Sequence, residues 1–305
     1  MKTKLIIEQH IHGCFGIDFN RADSEEIVCA AQQLIKLGVG GFFPTLVTDS
    51  IDNIKRQIER IKYAASIQDE YSAKILGVHL EGIFLNPEKK GIHDSDLFLE
   101  LTKENFQKIE DDFIKIITLA PELDLGLIDY LKSKGIKIQA GHCVGGDLSK
   151  CSGVTHLFNA MKPIGHRDES TSLSAMLNND IYTEIIADGV HLSDSILDLI
   201  LRVKPDEKII LISDALPITK SDLTRTEFAG KTIFYDGIKA TSKDGTIAGS
   251  TTLVPDIIKI LAQKGLYKDT YINNPYNYHE IDISGEIEWD DNYNIVSVQI
   301  NGKRI

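Results

Sequence analysis

The 305-residue sequence predicts an α/β fold: a (β/α)8 TIM barrel with a small, reduced β appendage built from its C-terminal segment. Three observations predict it. Short, β-branched apolar runs alternate with stretches of helical length, eight times in succession. The runs show little in/out alternation, as parallel strands buried on both faces require. Six potential metal ligands, His10, His12, Glu81, His142, His156 and Asp214, fall at or just past the ends of those runs. Strands closed into a barrel gather such positions at one mouth.

The elements follow in order. Residues 5–7 read as the first strand, and 24–37 as a helix opened by Ser24 as its N-cap. Strand 41–46 precedes helix 50–67. Strand 75–80 is followed by a long loop through Asp94, then by strand 114–119 and helix 123–133. Strands 136–140 and 154–157 come next, with helix 172–177 after the second. Strand 183–187, helix 193–203 and strand 209–213 complete the eight. Thirteen residues separate His142 from His156, so 145–150 has room for only a turn or two. Beyond residue 215 the pattern changes. Residues 231–235 and 238–241 predict a hairpin around Asp236-Gly237, inside an insertion near 228–247, and 253–264 reads as a helix. From Ile281 the chain alternates like strands, at 281–283, 286–289 and 295–300. The expected division is a barrel domain over 1–275 and an appendage over 276–305.

Hydrophobic residues make up 42% and charged residues 26%, ordinary for a water-soluble globular chain. Lys and Arg number 33 against 45 Asp and Glu, a net charge of −12. That balance argues against nucleic acid or an anionic membrane as partner, and leaves room for a small anionic substrate held by a local cationic cluster. Cys14, Cys29, Cys143 and Cys151 form no Cys-x-x-Cys pair, which speaks against a thiolate zinc knuckle; Cys14 and Cys143 read as packing residues. The apolar run at the N-terminus is too short for a signal peptide, and no stretch approaches the ~20 apolar residues of a membrane span. A cytoplasmic location is expected.

The candidate ligands point to metal-assisted hydrolysis. His10 and His12 are two apart beside a strand, so their imidazoles face the same way. Glu81 ends a buried apolar run, where a carboxylate is costly unless a cation meets it. His79, two residues before it, reads as a packed core histidine. Imidazole with carboxylate suits zinc or iron. Glu81 can bridge two ions, with His10 and His12 on one side and His142 and His156 on the other. Asp214 is the candidate general base.

Several segments carry a resemblance: His10-Ile-His-Gly, His79-Leu-Glu-Gly-Ile-Phe-Leu-Asn-Pro, Lys90-Gly-Ile-His, Ala140-Gly-His, Thr155-His-Leu-Phe-Asn-Ala-Met, Ala187-Asp-Gly-Val-His, Ser213-Asp-Ala and Ala248-Gly-Ser. In these, over roughly residues 8 to 260, the chain resembles the N-acetylglucosamine-6-phosphate deacetylases of the amidohydrolase superfamily. The resemblance implies hydrolysis of the acetamide of a phosphorylated amino sugar to acetate and free amine. It implies a metal site at Glu81, His142 and His156, capacity for a second ion through His10 and His12, and Asp214 as catalytic acid/base. It also implies His93 beside the substrate carbonyl, sugar-phosphate contacts from Asn159, Ala160, Arg167 and His191, and a homodimer. N-acetylgalactosamine 6-phosphate is the nearest rival substrate, and a non-catalytic sugar-phosphate-binding relic is the rival of another class.

The sequence departs from that family in three places. The strands that usually precede the barrel are expected to be absent, leaving the appendage to the tail from Ile281. Ile83 stands where proline is usual, and Asp168-Glu-Ser where Glu-Pro-Gly is usual, so the loop after Glu81 is expected to be looser and the phosphate loop to be shifted. The third departure is the short connection before His156.

Overall fold

Eight parallel strands form the centre of the molecule, in a computed structural model that describes residues 1–145 and 147–305. They are Ile6–Ile11, Val39–Leu46, Val78–Glu81, Ile114–Leu119, Lys137–Ala140, Gly153–Val154, Tyr182–Ile185 and Ile209–Leu211. They pair in chain order. The two ends of the sheet are joined by hydrogen bonds from the Asp214 amide to the His10 carbonyl and from the His12 amide to the Ala215 carbonyl, both 2.9 Å. The expected barrel is therefore present. Its strands are rich in Ile, Val, Leu and Phe, and Val39–Leu46 is buried at every residue, which explains the lack of alternation.

Local chemistry sets the ends of the elements. The first helix, Ser24–Leu34, is capped by Asp23 rather than by Ser24. The Asp23 carboxylate accepts from the Glu26 amide and the Glu26 carboxylate from the Asp23 amide, each at 2.9 Å. Ser24 instead donates to the Arg60 carbonyl. The run expected at 75–80 is split into Lys74–Ile75 and Val78–Glu81, because Gly77 adopts φ +147° between them. Among the described residues of the connection before His156, the helical part is the 3-10 turn Leu148–Lys150.

Two parts of the fold are larger than expected. The insertion is a four-stranded antiparallel sheet, Arg225–Phe228, Lys231–Tyr235, Ala240–Ser242 and Ile247–Gly249, not a single hairpin. Phe228, Ile233, Ala240 and Ala248 pack with Val47, Ile92, Leu216 and Ile218, so this sheet covers one side of the barrel mouth. The appendage also has four strands, and the expectation that the tail alone builds it is corrected: Lys2–Lys4 pairs antiparallel with Gly285–Trp289, followed by Ile295–Ile300 and Lys303–Arg304. The Trp289 indole donates to the Thr3 hydroxyl at 2.9 Å. Residues 281–283 form no strand.

The helix Thr270–His279 was not expected. It packs under the barrel, where Asn274 Nδ2 donates to the Ile209 carbonyl at 2.5 Å and the Tyr276 hydroxyl to the Leu5 carbonyl at 2.8 Å. Residues 275 and 276, the expected domain boundary, both lie within it. No helix among the described residues is long and apolar enough to cross a membrane.

Candidate active site

The strand ends converge on one carboxylate. Glu81 Oε2 lies 3.3 Å from His10 Nε2 and 3.0 Å from His12 Nε2. Glu81 Oε1 lies 3.3 Å from His142 Nε2 and 2.9 Å from His156 Nε2. Asp214 Oδ1 stands 3.4 Å from His10 and 3.1 Å from His12. The two histidines of each pair are 3.3 Å and 3.1 Å apart at Nε2. All six positions expected to meet at one mouth do so, and all are buried.

These spacings test whether a cation fits. A tetrahedral zinc site with bonds near 2.0–2.1 Å has edges of about 3.3–3.4 Å between its ligand atoms. Five edges among His10, His12, Glu81 Oε2 and Asp214 Oδ1 measure 3.0–3.4 Å. His142, His156 and Glu81 Oε1 form a second triangle with edges of 2.9–3.3 Å. The hydrogen bonds behind the rings support the same reading. His12 Nδ1 faces the Thr45 carbonyl and His142 Nδ1 the Lys89 carbonyl, which can only accept. His10 Nδ1 faces the Glu184 carboxylate. The Nδ1 proton is thereby fixed on each, so Nε2 is the nitrogen that turns inward and can bind an ion once it gives up its own proton. The donor set and its geometry fit a divalent ion, and Glu81 is shared between the two clusters.

The charges agree. Burial opposes protonation of His12, yet hydrogen bonds with Asp214 and Glu81 lift its pKa to about 9. His10 is likewise held well above its usual range, against burial, by the charge of Glu81 and the contact with Glu184. Glu81 and Asp214 stay below the usual carboxylate range although burial pushes them up; His10 leads for Glu81 and His12 for Asp214. A potential that retains protons on two buried imidazoles also attracts a dication.

His93 is arranged as a donor. Its Nδ1 accepts from the Thr48 amide at 3.4 Å and meets the Thr48 hydroxyl at 2.9 Å. The Thr48 hydroxyl accepts from the Ile83 amide. That network puts the His93 proton on Nε2, which lies 3.9 Å from Glu81. Burial and the nearby His142 keep the ring well below its usual pKa, hence neutral. His79 is bonded at both nitrogens, to the Gln9 carbonyl and the Thr118 hydroxyl, and faces the barrel interior as the packed histidine expected. Burial pushes the Cys143 thiol up to about 12, in keeping with a packing role.

A cavity of about 380 Å³ opens above the cluster, room for one sugar-sized ligand. Asn159, Ala160 and His191 line it. His191 Nδ1 meets Asp188 Oδ2 at 2.9 Å, and this contact raises its pKa against the effect of burial. Arg167 is different: it is exposed on the 162–169 loop and does not line the cavity. Lys89, Glu88 and Glu184, which sequence reasoning missed, belong to the surroundings of the site.

Backbone strain concentrates here. His142, His156, Asp214, Phe158, Ala160 and the β-branched Ile83 all have φ between +30° and +74°. The loop after Glu81 is not loosened at Ile83, which is buried and held through its amide by Thr48 and through its carbonyl by the Leu99 amide. At Gly82 a Cβ would come within 2.4 Å of the Thr48 nitrogen, so only glycine lets the chain leave Glu81 along this path.

A parallel barrel with imidazoles and carboxylates at its C-terminal mouth is the architecture of the amidohydrolase superfamily. No family model matches the chain. It is 32% identical over 259 residues to N-acetylglucosamine-6-phosphate deacetylase of Bacillus subtilis (strain 168), covering 80% of this chain and 65% of that protein. It is 30% identical over 283 residues to the Caenorhabditis elegans enzyme of the same name, covering 84% and 67%. The crystal structure of N-acetylglucosamine-6-phosphate deacetylase from Pasteurella multocida matches with a TM-score of 0.87 at 26% identity, covering 100% of this chain and 86% of that one. The chain belongs to the N-acetylglucosamine-6-phosphate deacetylase family. It spans just under two thirds of the length of the Bacillus relative.

Proposed function

We propose that this protein hydrolyses the acetamide of N-acetylglucosamine 6-phosphate, giving glucosamine 6-phosphate and acetate, with one or two divalent ions, zinc or iron, held at Glu81. The single observation that carries the proposal is the Glu81 carboxylate, whose two oxygens each face a pair of inward-turned imidazoles. Glu81, His142 and His156 would hold one ion; His10, His12, Glu81 and Asp214 would hold the second. When bound, the ion polarises the attacking water and the amide carbonyl. Asp214, ionised and at the cavity wall, takes the proton of the attacking water and returns it to the departing nitrogen as the C–N bond breaks. His93 donates its Nε2 proton in a hydrogen bond to the carbonyl oxygen as charge develops there. The Asn159–Ala160 backbone and His191 hold the sugar.

A phosphate contact from Arg167 requires a second subunit on this reading, because Arg167 is exposed and does not line its own cavity. We place the protein in the cytoplasm as a homodimer in which each Arg167, exposed on its own subunit, serves the other site. Acetate release from N-acetylglucosamine 6-phosphate, before chelation, after it and after readdition of zinc or iron, tests the proposal. Release that stops on chelation and returns with metal supports it; release unchanged by complete metal removal refutes it.

A further inference from the structure

We propose that Glu184 is a positioning residue that selects the metal-binding form of His10, and so sets the affinity of the His10–His12 half of the site independently of the His142–His156 half. The inference rests on the metal reading above.

Glu184 sits inside the barrel on the strand Tyr182–Ile185, fully buried, beneath the ligand layer. Each oxygen has two donors. Oε1 accepts from Gln9 Nε2 at 2.5 Å and from Gln139 Nε2 at 3.3 Å. Oε2 meets His10 Nδ1 at 3.2 Å and the His156 amide at 3.4 Å. Gln9 is itself oriented, since its Oε1 accepts from His279 Nε2 at 2.9 Å. With its oxygens occupied in this way and no share in the cavity lining, the carboxylate has no direct part in the chemistry.

Its effect is exerted through His10. A neutral imidazole carries one proton, and a ring whose Nδ1 proton is bound to a carboxylate must present its lone pair at Nε2. His10 Nε2 is the atom that faces Glu81 Oε2, Asp214 Oδ1 and His12 Nε2. His12 and His142 achieve the same orientation through backbone carbonyls. His10 alone among these three depends on a side chain. Contact with His156 is only through that residue's backbone, so a change at 184 acts mainly on the His10 half.

The test is a zinc titration of metal-free protein against a competing chelator, on wild type and Glu184→Gln, which keeps the shape and removes the charge. Wild type is expected to bind two ions. In the variant one of the two ions is expected to lose 10- to 100-fold in affinity, the range typical of such outer partners, while the other is unchanged. Equal affinities in both proteins overturn the proposal, and so does parallel weakening of both ions, the mark of a merely structural role. Wild type that binds one ion overturns this proposal and leaves the proposed function standing; wild type that binds none overturns both. Should the variant not fold, wild type loaded with cadmium-113 gives a second reading. Coupling from the metal to His10 Nε2 with a retained Nδ1 proton supports the assignment, and coupling to Nδ1 overturns it.

Discussion

Replacing Glu81 by Gln removes the one group shared by both halves of the candidate site. Its two oxygens make four contacts of 2.9–3.3 Å with four imidazoles, so neither half keeps its bridging anion. An ion present at 100 times its dissociation constant stabilises the folded state by about 2.7 kcal/mol. A chain of 305 residues unfolds with an entropy on the order of 0.6 kcal/mol per degree, so each bound ion raises Tm by about 4 °C under that condition. Wild type with two ions should therefore melt about 8 °C higher than after chelation. Glu81→Gln should show less than about 1 °C of metal dependence, whereas His142→Gln should keep about 4 °C from the His10–His12 half. Thermal melts at buffered free zinc, with and without chelator, read these differences directly. A Glu81→Gln protein that retained half or more of the wild-type shift would show that Glu81 does not join the two halves.

Other expectations follow from the same geometry. Asp214→Asn should lower kcat by about 10²- to 10⁴-fold while an ion remains at Glu81, His142 and His156; unchanged turnover on N-acetylglucosamine 6-phosphate would remove Asp214 from the reaction. Arg167→Ala should raise KM for the phosphorylated sugar and leave the weak reaction with the unphosphorylated sugar unaltered, and a KM equal to wild type would exclude the phosphate contact. Burial, with Lys137 adding to it, lowers the pKa of His279 from 6.5 to about 3. Its neutral ring donates to Gln9. Between those values the unfolded chain binds a proton that the folded one does not, so stability is lost as pH falls from 6.5 towards 3. Urea melts should show about 2 kcal/mol less of this loss between pH 7 and pH 5 in His279→Gln than in wild type. The same pH dependence in both would refute the assignment.

The barrel was legible because parallel strands buried on both faces leave a plain mark: runs such as 114–119 and 209–213 have nothing else to be. The convergence of Glu81, His142, His156 and Asp214 was legible for a related reason, since polar groups that interrupt apolar runs at their ends must meet something. The same logic applied to Glu184, in the run Tyr182-Thr-Glu-Ile-Ile-Ala, and was not pursued because the residue lies inside a strand rather than at its end. The helix Thr270–His279 left no pattern: Pro275 and three asparagines lie within it, and Asp269 supplies no side-chain cap. Tertiary bonds from Asn274 and Tyr276 hold it. The strand Lys2–Lys4 is equally silent, a polar tripeptide whose partner is more than 280 residues away. The cap on the first helix was misplaced by one residue because Asp23 and Ser24 are both good caps, and only Asp23 has Glu three positions on.

The most direct test is anomalous diffraction at the zinc edge from crystals of metal-loaded protein. A peak is expected about 2.0–2.2 Å from Glu81 Oε1, His142 Nε2 and His156 Nε2, with a second at His10, His12 and Asp214 when zinc is in excess. A fully loaded crystal whose zinc lies away from Glu81 would contradict it.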